Sequence, residues 1–181
     1  IVTKLYEQLG VEVTPAIATV LLSAIMTDTV ITKSPTCTDY DLVQAEKLGA
    51  IIGKKPTEFG LEVFKMRGGD NDLSVEELCT HDSKEFKKGD DVYMVAQHET
   101  VTLDVAMERE AEYREFLRQK VAENGYKFAL LLVTDIFNEG SKFICEGDVA
   151  PVSEAFGIDA TKAEWVDGIL SRKKQVIPPL S

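Results

Sequence analysis

The stretch Phe128-Ala129-Leu130-Leu131-Leu132-Val133 is a continuous run of apolar residues in a chain of 181 residues. A run of this length is typical of a central β-strand that is buried on both faces of a sheet. The charged segment before it, from Leu103 to about Asn124, predicts one long helix that ends at Gly125. A helix that leads into a doubly buried strand indicates a mixed α/β domain in this part of the chain.

Upstream of this helix the pattern predicts a hairpin. The segments Lys84–Lys87 and Val92–Ala96 flank Lys88-Gly89-Asp90-Asp91, whose glycine favours a tight turn. The preceding Ser74-Val75-Glu76-Glu77 has the spacing of a capping box, which predicts the start of a short helix.

Downstream of the central strand we expect smaller elements. Residues Lys142–Cys145 predict a further strand, and Val149–Phe156 predict a short helix. A second short helix is predicted over Lys162–Val166, and residues 168–177 are expected to supply the last strand and a basic turn.

The first third of the chain is predicted to be mostly helical. Thr14 is a suitable N-cap for Ala16–Met26, which is apolar nearly all round and is therefore expected to be a buried helix. The β-branched Val30–Thr32 is expected to be a short extended piece. Further helices are predicted over Asp39–Ile52 and Pro56–Met66.

One segment has the composition of a linker. Arg67-Gly68-Gly69-Asp70-Asn71-Asp72 combines two glycines with short polar residues, which favour turns and cannot pack a core. We therefore predict two domains, residues 1–66 and 74–181, joined by a hinge at residues 67–73.

Composition narrows the function classes. The chain has 31 acidic against 20 basic residues and a formal net charge of −11, which argues against nucleic-acid binding. An anionic substrate would have to be met by local cations. The longest apolar run, Ala16–Met26, is too short to span a bilayer, and three separated cysteines without a CxxC pair suit a reducing compartment. A cytoplasmic protein that does not bind membranes is the expectation.

Two features are candidates for chemistry. Ser171-Arg172-Lys173-Lys174-Gln175 opposes the global charge, and Arg and Lys both suit phosphate oxygens, although a charge run can equally be a solvated turn. Asp28 follows an apolar helix, where its carboxylate is either a metal ligand or a cap. His81 and His98 lack metal-like spacing and are expected to be surface or satisfied histidines. Lys84 is unremarkable by itself.

Six stretches together resemble one family. They occur in the order and at the spacing of family II, manganese-dependent inorganic pyrophosphatases of the DHH phosphoesterase superfamily. The stretches are Ser23–Thr29, Lys33–Asp39, Val75–Leu78, His81–Phe86, Val133–Ile136 and Ser171–Val176.

The resemblance implies a two-lobed α/β protein that hydrolyses pyrophosphate to two phosphates. Residues 1–66 would be the mostly helical remainder of an N-terminal DHH-type domain, and residues 74–181 a mixed-sheet, substrate-binding domain that closes over the cleft. It further implies a dinuclear site for Mn²⁺ (or Co²⁺ or Mg²⁺) and a homodimer. Asp28 then resembles the last metal-ligand aspartate, while Lys84, Arg172 and Lys173 resemble the residues that hold the phosphates.

The chain also departs from the family. The His-x-Asp-x-Asp motif, a further Asp and the Asp-His-His motif are absent here and are expected upstream, so these 181 residues alone are expected to be inactive. The start at Ile1, inside an amphipathic pattern, likewise suggests part of a longer protein. Two alternatives stay open: an exopolyphosphatase of the same superfamily, and a non-catalytic, anion-binding regulatory module.

Overall fold

The chain forms two compact units in a computed structural model that describes residues 1–66 and 73–181. The units are Ile1–Arg67 and Gly68–Ser181. The predicted linker, Arg67–Asp72, lies outside the described residues, so the hinge stays a prediction. Along the described ranges, no helix is both long and apolar enough to cross a membrane.

The first unit is helical over its described residues. Its helices are α1 (Val2–Leu9), α2 (Pro15–Asp28), α3 (Asp39–Ile52) and α4 (Pro56–Met66). Helix α2 begins as the sequence predicts, because the side chain of Thr14 accepts a hydrogen bond from the backbone N–H of Ile17. Thr38 and Asp41 form a capping box at the start of α3. The predicted bounds of α3 and α4 are confirmed.

Two expectations for this unit are wrong. Val30–Thr32 is not extended: all three residues have positive φ angles of 49–64° in a turn after α2. This backbone is unfavourable for β-branched residues, and the burial of Val30 and Ile31 offsets its cost. Helix α2 is also not buried all round, because it packs on α3 and α4 along one side and leaves Val20 66% exposed.

The second unit is built on a five-stranded sheet. Its strands are β1 (Ser83–Lys88), β2 (Asp91–Thr100), β3 (Phe128–Asp135), β4 (Gly140–Gly147) and β5 (Glu164–Asp167). They lie in the order β1-β2-β3-β4-β5. Strands β2 and β3 are parallel, and the other pairs are antiparallel. Every residue of β3 is buried, which confirms the central strand predicted from the apolar run.

Helices cover both faces of this sheet. The remaining helices are α5 (Val75–Thr80), α6 (Leu103–Met107), α7 (Glu110–Asn124), α8 (Ala150–Phe156) and α9 (Ile177–Leu180), with a π-helical turn at Arg172–Val176. One face packs on α5, α6 and α7 through residues such as Leu131 and Tyr113. The opposite face carries Val95 and Leu130, which pack with Val152, Val176 and Leu180. The predicted mixed α/β fold is confirmed.

Three local predictions for this unit are wrong. The helix expected over residues 103–124 is interrupted between Met107 and Glu110. The segment expected to be helical at 162–166 instead contributes β5, where Trp165 pairs across from Lys142. The Trp165 ring packs over Gly140, where a Cβ atom would lie 2.2 Å from it. The last strand, β5, ends at Asp167, whereas we expected it within residues 168–177.

Candidate functional site

A row of buried polar side chains crosses the sheet near the carboxyl ends of the parallel strands. Gln97 comes from β2, Thr134 from β3 and Ser141 from β4, with exposures of 7%, 0% and 0%. By strand alternation all three share the sheet face of Val95 and Leu132. We call these three residues the polar row. Buried polar groups require hydrogen-bond partners, so these three side chains must bind other groups within the fold.

The polar row binds residues 168–172, which lead into the π-helical turn. We call these residues the arginine loop. Gln97 Nε2 donates to Leu170 O (3.1 Å) and to Thr134 Oγ1 (3.0 Å). Thr134 Oγ1 lies 2.8 Å from Ser141 Oγ, which donates to Ile169 O (2.7 Å). Because each hydroxyl carries one hydrogen, these bonds form a chain with one direction, from the Gln97 amide to the Ile169 carbonyl.

Gln175 closes the same loop from the other side. Its Oε1 accepts from the backbone N–H groups of Leu170 and Ser171, both at 2.9 Å. Its Nε2 donates to Gly168 O at 2.7 Å. Ser171 caps the π-helical turn by accepting from Lys174 N. The arginine loop is therefore held by side chains at both ends, although it is an irregular segment.

Arg172, a predicted phosphate ligand, is only 7% exposed. Its backbone N donates to Gln97 Oε1 (3.0 Å), and its Nη2 donates to Asp82 Oδ1 (2.7 Å). Its Nη1 donates to Asp82 O and, at 3.4 Å, to Val95 O. Nε is buried and has no acceptor among the described residues. Asp82 thus covers the Nη1–Nη2 edge of the guanidinium, and the Nε donor stays unsatisfied.

Lys84 follows closely after Asp82, the residue that binds this guanidinium. It is exposed in β1, two residues after Asp82, which is about 7 Å along a strand. Lys84 pairs across from Val95, so the two side chains share one sheet face. The Val95 carbonyl is itself a contact of Arg172, at 3.4 Å. The predicted residues Lys84 and Arg172 are therefore neighbours at one corner of the sheet.

Lys173 follows Arg172 in the π-helical turn and is exposed. The described parts of the chain give it no ion pair, and the same is true of Lys84. The second unit therefore carries all three predicted phosphate ligands, with the side chains of Lys84 and Lys173 exposed and the Arg172 guanidinium buried. A fully solvated basic turn is excluded for Arg172 by its burial.

Asp28 lies in the first unit, as the last residue of α2. Its side chain is exposed, and its backbone carbonyl accepts a hydrogen bond from Thr36 Oγ1 at 2.9 Å. The described residues contain no group of three His, Cys, Asp or Glu side chains that could hold a metal ion. They therefore offer one carboxylate at Asp28 and do not form a complete metal site by themselves.

The histidines add no such site. His81 is exposed at the end of α5, as expected. His98 is half-buried within β2, two residues before its end.

Neither Asp82 nor the polar row was predicted from the sequence. Thr134 directly follows the apolar run that was predicted to be a buried strand, and Gln97 directly follows Val92–Ala96, an apolar segment of the predicted hairpin. A polar residue that continues such a run was a usable signal, since it must be satisfied inside the fold. Asp82, in contrast, gave no signal, because its role depends on a loop 90 residues away in the chain.

Comparison with known proteins identifies close relatives. The chain is 37% identical over 183 residues to a probable manganese-dependent inorganic pyrophosphatase of Staphylococcus haemolyticus. It is 36% identical to the manganese-dependent inorganic pyrophosphatase of Bacillus subtilis. Both alignments cover all of this chain and 59% of the relative, so the chain spans little more than half of these proteins.

The fold has a matching solved structure. The crystal structure of a putative family II inorganic pyrophosphatase from Methanococcus jannaschii superimposes with a TM-score of 0.81 at 35% identity. The match covers 93% of this chain and 55% of that one. The resemblance to family II pyrophosphatases and the two-part α/β fold expected from it are confirmed. Residues 61–181 match the DHHA2 domain, and the chain belongs to the DHHA2 family.

Proposed function

We propose that the protein to which this chain belongs hydrolyses inorganic pyrophosphate to two phosphates and requires Mn²⁺. The observation that carries the proposal is the similarity, along the whole chain, to relatives that are named manganese-dependent inorganic pyrophosphatases. The cationic corner of the second unit supports it, because a protein of net charge −11 attracts a polyanion only through such a local cluster.

Within this proposal Lys84, Arg172 and Lys173 hold the phosphoryl groups. The two exposed ammonium groups are point charges that follow a mobile ligand, whereas the buried guanidinium is fixed by Asp82. Cations fixed in this way stabilise the charge that develops on a transferred phosphoryl group without rearranging during the reaction.

Asp28 is proposed as one carboxylate ligand of the Mn²⁺ site. A hard divalent cation prefers such an oxygen ligand, and the exposed position of Asp28 leaves its carboxylate accessible. When bound, the metal pair would lower the pKa of a water molecule and polarise phosphoryl oxygens. The other metal ligands are not supplied by the described residues.

An exopolyphosphatase is the second candidate, since the same cations would bind a longer phosphate chain. A non-catalytic anion-binding module is the third, and it needs only the second unit. We also propose a cytoplasmic homodimer that binds neither nucleic acid nor membranes; the acidic balance supports the nucleic-acid part. Light scattering of the longer protein tests the dimer.

The test is phosphate release by the longer protein with Mn²⁺, using pyrophosphate and a polyphosphate as parallel substrates. The proposal predicts faster turnover of pyrophosphate, and loss of turnover when Mn²⁺ is chelated. Preference for polyphosphate would favour the exopolyphosphatase. Binding of pyrophosphate without turnover would favour the anion-binding module and contradict the proposal.

A further inference from the structure

We propose that Gln97 is a positioning residue for Arg172, holding the guanidinium where a phosphate of the substrate meets it. The proposal rests on the proposed function, because it assumes that Arg172 binds phosphate. Gln97 itself carries no charge, and both polar atoms of its side chain bond within the protein, so it offers the substrate little direct contact. Its effect on the ligand would pass through Arg172.

The first connection is through the side chain. Gln97 Oε1 accepts from Arg172 N at 3.0 Å, and Gln97 Nε2 donates to Leu170 O at 3.1 Å. One amide group therefore fixes the backbone on both sides of Ser171. Since Nε2 also donates to Thr134 Oγ1, the amide orientation is set by the polar row and cannot flip without breaking all three bonds.

The second connection is through the main chain. Gln97 N donates to Asp82 O at 3.0 Å. That same carbonyl accepts from Arg172 Nη1, and the carboxylate of Asp82 accepts from Nη2. Gln97 thus bonds directly to the backbone of Arg172 and, through Asp82, to its guanidinium. The position of the Arg172 backbone and that of its guanidinium group both depend on Gln97 of β2.

These hydrogen bonds matter because the segment around Arg172 has no regular secondary structure to fix its position. The arginine loop is irregular and leads into a π-helical turn. The hydrogen bonds of a strand or an α-helix therefore do not fix the position of the Arg172 backbone. A fork with five donors in a fixed plane binds phosphate well only when its orientation is set beforehand. Gln97 supplies that orientation from the central part of the sheet.

The experiment compares the 181-residue chain with Gln97→Met, which keeps the length of the side chain and removes both polar atoms. Two quantities are measured: pyrophosphate affinity by calorimetry, and the exchange rate of the Arg172 backbone amide with deuterium. We expect affinity to fall about tenfold and Arg172 amide exchange to rise about tenfold, because Arg172 N loses its acceptor and the two other side-chain hydrogen bonds of Gln97 are lost with it. Gln119→Met, on the exposed face of α7, is the matched control and should change neither quantity.

The isosteric Gln97→Glu is the second variant, and it keeps an oxygen facing Arg172 N. It should protect the Arg172 amide better than Gln97→Met does, and it serves if Gln97→Met does not fold. Unchanged Arg172 exchange and unchanged affinity in both variants would overturn the positioning role. If the wild-type chain binds no pyrophosphate, or Arg172→Ala binds it normally, the proposed phosphate role of Arg172 fails, and the exchange rates still decide whether Gln97 positions Arg172.

A purely structural role is separated by a double-mutant cycle. If Gln97 acts through the guanidinium, adding Gln97→Met to Arg172→Ala should cost at most about twofold in further affinity, because the two losses share one interaction. Independent, multiplying losses would show that Gln97 supports the domain in general, and would overturn the proposal.

Discussion

Truncation of Arg172 should destabilise the second unit, although arginines at the surface are usually dispensable. Arg172 donates two hydrogen bonds to Asp82, one to its carboxylate at 2.7 Å and one to its carbonyl. Two bonds from a charged donor would contribute roughly 3–6 kcal/mol. The Asp82 side chain is 54% exposed, so its carboxylate is resolvated after the truncation and solvent already screens the pair.

After that discount we expect Arg172→Ala to lower the free energy of unfolding by about 2–3 kcal/mol. Arg172→Lys keeps the charge but loses the fork, and should recover about half of this loss. Lys173→Ala is the matched control: its side chain is exposed, so the change should stay within about 0.5 kcal/mol.

The assay is urea denaturation of the 181-residue chain, followed by fluorescence of Trp165, the single tryptophan, which lies in β5 of the same unit. Equal stability of Arg172→Ala and Lys173→Ala would contradict this prediction, because it would mean that the contacts of Arg172 with Asp82 do not form in solution.

Three further outcomes are expected. Asp28→Ala in the longer protein should raise the Mn²⁺ concentration for half-maximal phosphate release at least about tenfold, and an unchanged requirement would remove Asp28 from the metal site. Burial raises the pKa of both Cys79 and Cys145 to about 12, so iodoacetamide at pH 8 should label Cys37 first. Mass spectrometry that finds all three cysteines labelled equally fast would contradict this prediction. Burial and a hydrogen bond to a carboxylate raise the pKa of Tyr126 to about 12; the neutral phenol therefore stabilises the fold below its unfolded pKa of about 10, and this contribution is lost as the pH rises from 10 towards 12. Tyr126→Phe should flatten the stability curve in that window, and an unchanged curve would argue against the buried phenol.

Local patterns predicted those elements whose stability is local. The capping box at Ser74 occurs where the spacing placed it, because the box satisfies backbone donors within one turn. The strand Phe128–Asp135 follows from an apolar run that only a doubly covered position can bury. The sequence was sufficient where neighbouring residues decide the outcome.

Elements that depend on distant partners were not predictable in this way. Strand β5 is decided by the edge of β4, where Gly140 leaves room for the Trp165 ring. The turn at Val30–Thr32 has a backbone that β-branched residues avoid, and the burial of two of its side chains decides it.

The candidate site also contains residues that the local sequence predicted and residues that it did not. Arg172 and Lys173 stood out as a charge cluster in an acidic chain, and Lys84 entered only through the family resemblance. Gln97 and Asp82, which contact Arg172, come from β2 and from the residue before β1, far from it in sequence. Their contribution is a property of the assembled sheet.

The most direct test of the account is a pyrophosphate titration of the 181-residue chain followed by NMR of arginine Nε–H and lysine side-chain signals. We predict saturable shifts centred on Lys84, Arg172 and Lys173, because these three cations are the proposed phosphate ligands. Shifts that are absent, or that are spread evenly over all lysines and disappear in moderate salt, would contradict a phosphate site at this corner of the sheet.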